Sequence, residues 1–226
     1  MSNHDLDSAK TYQELDPQGM FRYLSEMPAQ CRRAWDLAGS FSLPPDYREI
    51  NKVVILGMGG SAIGADLVAS LATAEGRAPV IVVRDYALPA YVDAQTLVIA
   101  NSYSGNTEET LSAFGQALKN DCKKLAITTG GKLAKTAGLT GIPVFTYDYP
   151  ASPRAALSYS LLPLLRFLQN LGIINEKTAD VAEAVAVLGK LTDELNAEVP
   201  ASRNAAKQLA QRVYGKLPVI YGAEVL

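Results

Sequence analysis

Residues 57–64 read Gly-Met-Gly-Gly-Ser-Ala-Ile-Gly, and residues 101–110 read Asn-Ser-Tyr-Ser-Gly-Asn-Thr-Glu-Glu-Thr. Each stretch follows a short apolar run, Val53–Leu56 in one case and Leu97–Ala100 in the other. Glycines after such a run allow a tight turn and let bare backbone approach a ligand. A helix that starts there points N–H groups and the positive end of its dipole at an anion. In the second stretch Ser102, Ser104 and Thr107 each offer a hydroxyl donor, and no Lys or Arg intervenes. That mixture suits a neutral cradle for a phosphate, built from many dipoles and one helix N-terminus. Ser61 is placed either to cap its helix or to donate its hydroxyl to an oxyanion.

Plainer readings compete. Asn106 with Glu109 makes an Asx-type capping box, which explains Asn106, Thr107 and Glu109 but not Ser102 and Ser104. The glycines after the first run could serve close packing alone. Gly57-x-Gly59-x-x-Ala62 imitates a dinucleotide fingerprint. The acidic partner of that fingerprint belongs about twenty residues on, whereas Asp85, the candidate, comes later than that.

These loops need strands and helices to hold them. Val53–Leu56, Val80–Val83, Leu97–Ala100, Leu125–Thr128 and Val144–Tyr147 are short, β-branched apolar runs, the pattern of strands buried on both faces. Between them, Ile63, Leu67 and Leu71, and then Leu111, Phe114 and Leu118, recur at helical spacing. The alternation predicts βαβ units and an α/β fold: a flavodoxin-like, doubly wound, five-stranded parallel sheet. Ligands in such sheets bind at the carboxyl ends of strands, where the strand order reverses.

Around that sheet the pattern predicts an N-terminal helical extension over 1–45, with the first ten residues unstructured and two short helices broken at Pro28. The α/β domain covers 46–170 and ends in a helix over 155–171 bent at Pro163. A helical linker covers 171–204, with an amphipathic helix over 176–196 that carries Val181, Val185, Leu188, Leu191 and Leu195 on one face. Lys216–Gly222 repeats the sense of Lys52–Gly57, a basic residue, an apolar run and then glycine. Residues 205–226 are therefore expected to be the truncated start of a second α/β domain, the alternative being an extra edge strand on the first sheet.

Composition narrows the function. Lys and Arg number 21 against 23 Asp and Glu, so no basic excess exists to hold a nucleic-acid backbone. No apolar stretch approaches a bilayer span, and the polar N-terminus does not read as a signal peptide. Cys31 and Cys122 are far apart and match no metal or redox spacing, so a cytoplasmic setting is the default. The single histidine, His4, sits in a polar tail, which argues against His-rich metal sites and against a Ser-His-Asp hydrolase within the chain. No metal and no cofactor are expected. Cys31 and Trp35 share a helix face and read as core, Cys122 as a half-buried or surface thiol, and Tyr147 and Tyr149 as packing residues near the ligand edge.

Taken together, Gly57–Ser61, Ser102–Thr107 and Pro153-Arg154-Ala155-Ala156-Leu157 resemble the sugar isomerase (SIS) domain. More closely, they resemble that of the bifunctional phosphoglucose/phosphomannose isomerases, firmly over roughly residues 45–170 and weakly at 216–222. The resemblance implies that Ser102, Ser104 and Thr107 hold a sugar 6-phosphate and that Gly59, Gly60 and Ser61 line the sugar. It implies that Arg154 stabilises charge developing on an enediolate. The implied reaction interconverts glucose 6-phosphate or mannose 6-phosphate with fructose 6-phosphate. The family's base, a glutamate, and its ring-opening histidine belong to the second domain. This chain is therefore expected to grip a phosphorylated hexose but to turn it over poorly. Glu108, Glu109 and Glu224 have no motif that marks them as the base. The resemblance also implies a homodimer. The alternative function is a non-catalytic, phosphosugar-binding regulatory module.

Overall fold

The computed structural model describes residues 5–222, so His4 and Glu224 lie outside the described residues. In chain order the elements are α1 (Ala9–Leu15), α2 (Met20–Ser25), α3 (Met27–Gly39), β1 (Lys52–Leu56), α4 (Gly59–Glu75), β2 (Val80–Val83) and β3 (Thr96–Asn101). There follow α5 (Glu108–Ala117), β4 (Lys123–Thr128), α6 (Gly131–Leu139), β5 (Val144–Thr146), α7 (Leu157–Asn170), α8 (Thr178–Leu195) and α9 (Ala205–Val213). Short 3-10 turns at Pro45–Glu49 and Pro153–Ala155 precede β1 and α7. The chain divides into two compact units. One runs from Gln30 to Thr178; the other joins the residues up to Ala29 with those from Ala179 onward.

The Gln30–Thr178 unit contains an all-parallel, five-stranded sheet in the order β2-β1-β3-β4-β5. All five strands fall where the apolar runs predict them. Alternate residues serve opposite faces. Val54, Leu56, Val98, Ala100 and Ala126 pack with Phe114, Ala117, Leu133 and Ala137 of α5 and α6. On β5, Phe145 meets Phe41 and Phe167 of α7 edge-on, at ring-centroid distances of 5.5 and 5.3 Å. Strand β2, at the sheet edge, stays only half-buried.

Helix α4 departs from the expected pattern. Ile63 and Leu67 are 52% and 39% exposed, while Ser61, Ala62, Gly64, Ala65, Val68 and Ala72 form the buried face. Small residues win that face because α4 lies tightly along α7: a Cβ added at Gly64 would stand 2.5 Å from Ser160 Oγ and 2.7 Å from the Ser160 carbonyl carbon. Pro28 likewise starts a helix instead of breaking one. It occupies the second position of α3, where the missing N–H costs no intrahelical bond. Pro163, by contrast, does sit inside α7. Cys31 and Trp35 are core residues, as their shared face indicates, and burial pushes the Cys31 thiol up. Cys122 is buried as well, not half-exposed, against Ala117 and the rest of that core.

In the other unit, α1 begins at Ala9, inside the stretch read as unstructured. Lys207 explains its order. The Lys207 side chain is 5% exposed, and its Nζ donates to Asp7 Oδ1 at 2.9 Å and to the Ala197 carbonyl at 2.7 Å. The backbone N–H of Lys207 is in turn held by the N-cap side chain of Asn204. The ammonium holds the Asp7 carboxyl below its usual range. A seven-residue helix has no stability alone. A Lys207→Met chain is therefore expected to lose amide-exchange protection across α1 while β1 and β3 keep theirs; unchanged protection in α1 would refute the anchoring role. In the same unit Phe21, Leu24, Leu188, Leu191 and Leu195 line a shallow apolar groove of about 220 Å³. Lys216–Gly222, read as a strand from its sequence, takes no regular structure. Leu217, Val219, Ile220 and Tyr221 are exposed and pair with no strand of the sheet, and without a ladder partner an apolar run is not a strand.

Candidate functional site

Strands β1 and β3 are neighbours, yet the chain leaves β1 toward β2 on one side and β3 toward β4 on the other. The crevice at their carboxyl ends is the point of reversal, and the two polar loops flank it. Asn101, the last residue of β3, is fully buried. Its Nδ2 donates to the Ser61 carbonyl at 3.1 Å and toward the Ser160 carbonyl at 3.4 Å, which joins β3 to the first turns of α4 and α7. Gly57 packs tightly here: an added Cβ would stand 3.0 Å from the Asn101 carbonyl oxygen.

The hydroxyls converge. Ser102 Oγ lies 2.9 Å from Thr107 Oγ1, although five residues separate them. Ser61 Oγ accepts from the Tyr103 N–H at 3.3 Å, so the glycine loop touches the serine loop. Ser104 Oγ accepts from the Asn106 N–H at 3.2 Å. A hydroxyl has one proton and two lone pairs. Ser61 and Ser104 each spend a lone pair on a backbone N–H, and their protons have no acceptor among the described residues. The Ser102–Thr107 pair shares one hydrogen bond and so keeps one proton to give. Three hydroxyl protons are thus available, beside two helix N-termini. The N-cap residues, Met58 for α4 and Thr107 for α5, make no side-chain cap bond; in α4 the Ser61 N–H turns back to the Met58 carbonyl at 3.1 Å, and the earlier N–H groups of Gly59 and Gly60 have no side-chain cap.

The glycine loop is open on its ligand side. Gly59 is exposed with φ +49°, and a Cβ added there would meet nothing within 4 Å. Gly60 lies against the 3-10 turn, its added Cβ 3.0 Å from the Pro153 carbonyl and 4.0 Å from Arg154 Cα. Arg154 is exposed and makes no ion pair among the described residues. Tyr103 ties this turn down: its hydroxyl lies 2.7 Å from the carbonyls of Tyr149 and Ala151 and accepts from the Ala151 N–H at 2.9 Å. The sequence-predicted residues Gly59, Gly60, Ser61, Ser102, Ser104, Thr107 and Arg154 thus all belong to segments that meet at one sheet edge.

Several expectations change. Ser61 is the third residue of α4, so it does not cap that helix. The Asn106–Glu109 capping box does not form: Thr107 is the N-cap, and Asn106 Oδ1 instead accepts from the Lys132 N–H. Asp85 turns its carboxylate onto its own turn, accepting from the N–H groups of Tyr86 and Ala87, which weakens the dinucleotide reading. Glu109 and Glu108 face Tyr86 closely enough to push its phenol up, with Glu109 the larger cause. Tyr147 and Tyr149 are packing residues: both are buried and stack on Tyr159 at 4.8 Å, and burial pushes the Tyr147 phenol up.

A third loop, Thr128–Lys132, belongs to the same edge and was missed from the sequence. Thr129 donates to the Tyr103 carbonyl through both its N–H and its hydroxyl, and Leu133 N–H donates to the Gly105 carbonyl at 2.9 Å. The twin glycines Gly130-Gly131 after the fourth strand repeat the strand–glycine–helix signal already used for the first loop, and could have revealed it.

No family model matches the chain. By sequence it is 46% identical over 203 residues to the bifunctional phosphoglucose/phosphomannose isomerase of Caldicellulosiruptor bescii, covering 90% of this chain and 60% of that protein. It is 38% identical over 175 residues to the bifunctional phosphoglucose/phosphomannose isomerase of Thermoplasma volcanium, covering 76% of this chain and 51% of that one. The chain therefore spans between half and two thirds of the length of these curated relatives. Among solved structures it resembles a Clostridium novyi NT protein provisionally named tagatose-6-phosphate ketose/aldose isomerase. The TM-score is 0.63 at 20% identity, with 95% of this chain and 58% of that one aligned, a likeness of fold.

Proposed function

This chain is a relative of the bifunctional phosphoglucose/phosphomannose isomerases, and on that premise we propose that its β1/β3 crevice binds the phosphate of a hexose 6-phosphate. The carrying observation is the meeting of Ser102 and Thr107 at 2.9 Å, with Ser61 bonded into the same loop. Phosphate displaces the bond between Ser102 and Thr107, so that Ser102, Ser104 and Thr107 each donate to its oxygens together with the first-turn N–H groups of α5. A dianion gains here from dipoles and charge-assisted bonds without a neutralising lysine, so free phosphate and phosphate esters are both accepted. Gly59, Gly60 and Ser61 line the sugar, and the open side of Gly59 leaves room for it.

The reaction class is aldose–ketose isomerisation between glucose 6-phosphate, or mannose 6-phosphate, and fructose 6-phosphate. A base removes the proton from C2 or C1, and the resulting enediolate needs a fixed positive group. Arg154, exposed beside Gly60 and without an ion-pair partner among the described residues, supplies that group as a planar cation. No described carboxylate is assigned the role of base, since Glu108 and Glu109 lie toward Tyr86.

Thermal shift and calorimetry with fructose 6-phosphate, glucose 6-phosphate, inorganic phosphate and NAD test this reading. A ligand that binds the folded state raises the unfolding temperature with its concentration. The sugar phosphates and phosphate are expected to stabilise the chain, and NAD is not. A Ser102→Ala, Thr107→Val chain is expected to lose roughly a hundredfold or more in fructose 6-phosphate affinity, at about 1.5–3 kcal/mol for each bond to a charged group. Equal stabilisation of the variant and the unaltered chain by fructose 6-phosphate would rule the crevice out.

A further inference from the structure

The loop proposed to hold phosphate is not supported by its own strand and helix alone. Most of its external ties run to the end of β4, the loop after it and the first turn of α6. Ser102 N–H donates to the Ile127 carbonyl at 3.0 Å, Thr129 N–H to the Tyr103 carbonyl at 3.0 Å, and Leu133 N–H to the Gly105 carbonyl at 2.9 Å. A Cβ added at Gly131 would collide with the Ser104 carbonyl oxygen and stand 3.0 Å from Asn106 Oδ1. Within this interlock Asn106 makes three bonds, one through its backbone and two through its side-chain amide. Its N–H holds Ser104 Oγ at 3.2 Å, its Nδ2 donates to the Ser104 carbonyl at 3.1 Å, and its Oδ1 accepts from the Lys132 N–H at 3.1 Å.

We infer that Asn106 is a positioning residue whose amide ties the Ser104 backbone, and with it the Ser104 hydroxyl, to the N-terminal turn of α6. The inference rests on the phosphate reading of this loop. The amide is needed on both sides, because one end must donate to a carbonyl and the other must accept from an N–H. A carboxylate at 106 keeps the acceptor and loses the donor. It also places a negative charge two residues from Ser104, where a dianion is to be bound. A protonated carboxyl group restores both functions: its O–H donates to the Ser104 carbonyl and its C=O accepts from Lys132.

The test compares the full chain with Asn106→Ala and Asn106→Asp variants. Calorimetry follows fructose 6-phosphate at neutral pH and sulfate, which stays dianionic, between pH 7.5 and 4.5. Ligand-free melting curves accompany every condition. Expected is about a tenfold loss of both ligands' affinity in Asn106→Ala and a larger loss in Asn106→Asp at pH 7.5. The Asn106→Asp deficit in sulfate affinity should then shrink as acid protonates the new carboxyl group, whose ordinary pKa is near 3.9 and is raised by a neighbouring anion. A merely structural role would give losses that follow the ligand-free melting temperature and show no recovery in acid. That outcome, or unchanged affinity in Asn106→Asp, overturns the inference. Failure of the unaltered chain to bind either anion overturns the phosphate reading itself, and the inference falls with it.

Discussion

A Gly64→Val chain is expected to unfold about 6–12 °C below the unaltered chain, corresponding to roughly 3 kcal/mol at the 2–4 °C per kcal/mol usual for this size. The cause is local and rigid. Any Cβ at position 64 lands 2.5 Å from Ser160 Oγ and 2.7 Å from the Ser160 carbonyl carbon and oxygen. Rotating the serine relieves the first contact but not the other two, which are backbone of α7. The helices must therefore separate, and the Ala62, Ala65 and Val68 face loses its fit with them. Replacing glycine by valine inside a helix returns only about 0.3–0.5 kcal/mol of propensity, so the overlap decides the sign. Asn101 and Ser160 bond across the same junction, so binding at the crevice should weaken along with stability. Differential scanning calorimetry gives the answer. A Gly64→Val chain that melts with or above the unaltered one would mean that α4 and α7 do not pack as described.

Gly105→Ala is expected to weaken phosphosugar binding about a hundredfold. Gly105 has φ +63°, a conformation that costs other residues about 1–2 kcal/mol. Its new Cβ would also run into the Gly130 carbonyl oxygen, with Thr128 Oγ1 at 2.7 Å and the Gly130 carbonyl carbon at 2.9 Å. Neither loop can yield without moving Ser104 or the start of α6, because the two are bonded at Leu133 and Lys132. The effect should therefore exceed that of deleting a single hydroxyl, with a loss on the order of a hundredfold in fructose 6-phosphate affinity, or about 2.7 kcal/mol. Gly115→Ala on α5 is the control. Nothing lies within 4 Å of an added Cβ there, so binding should persist while stability rises by about 0.5–1 kcal/mol. If Gly105→Ala binds fructose 6-phosphate as Gly115→Ala does, the interlocked loops do not shape the site.

The strands were legible because a strand buried on both faces must be apolar at every position. Val53–Leu56, Leu97–Ala100 and Leu125–Ile127 satisfy that condition without interruption, and all lie inside observed strands. The ends of β1 and β3 were legible for a related reason. Glycines and hydroxyl residues at a strand-to-helix junction have few structural uses beyond turning the chain and exposing donors. On α4 the same logic misled. The large apolar residues Ile63 and Leu67 suggested the buried stripe, but the sequence cannot show that a neighbouring helix comes close enough to admit only Gly, Ala and Ser.

What the order of amino acids determined on its own was local: where the chain extends, where it coils, and which turns carry uncharged donors. It also determined the kinship, since Gly57–Ser61, Ser102–Thr107 and Pro153–Leu157 are contiguous strings that need no folding to be compared. Three-dimensional packing alone decided the rest: that Ser102 and Thr107 share a hydrogen bond, that Asn106 reaches Lys132 instead of capping α5, and that the loop after β4 buttresses the one after β3. The physical reason is range. Backbone preference and hydrophobic spacing act over a few residues, whereas a steric gap or a hydrogen bond between residues 26 apart, such as Asn106 and Lys132, exists only once the sheet has set both ends in place.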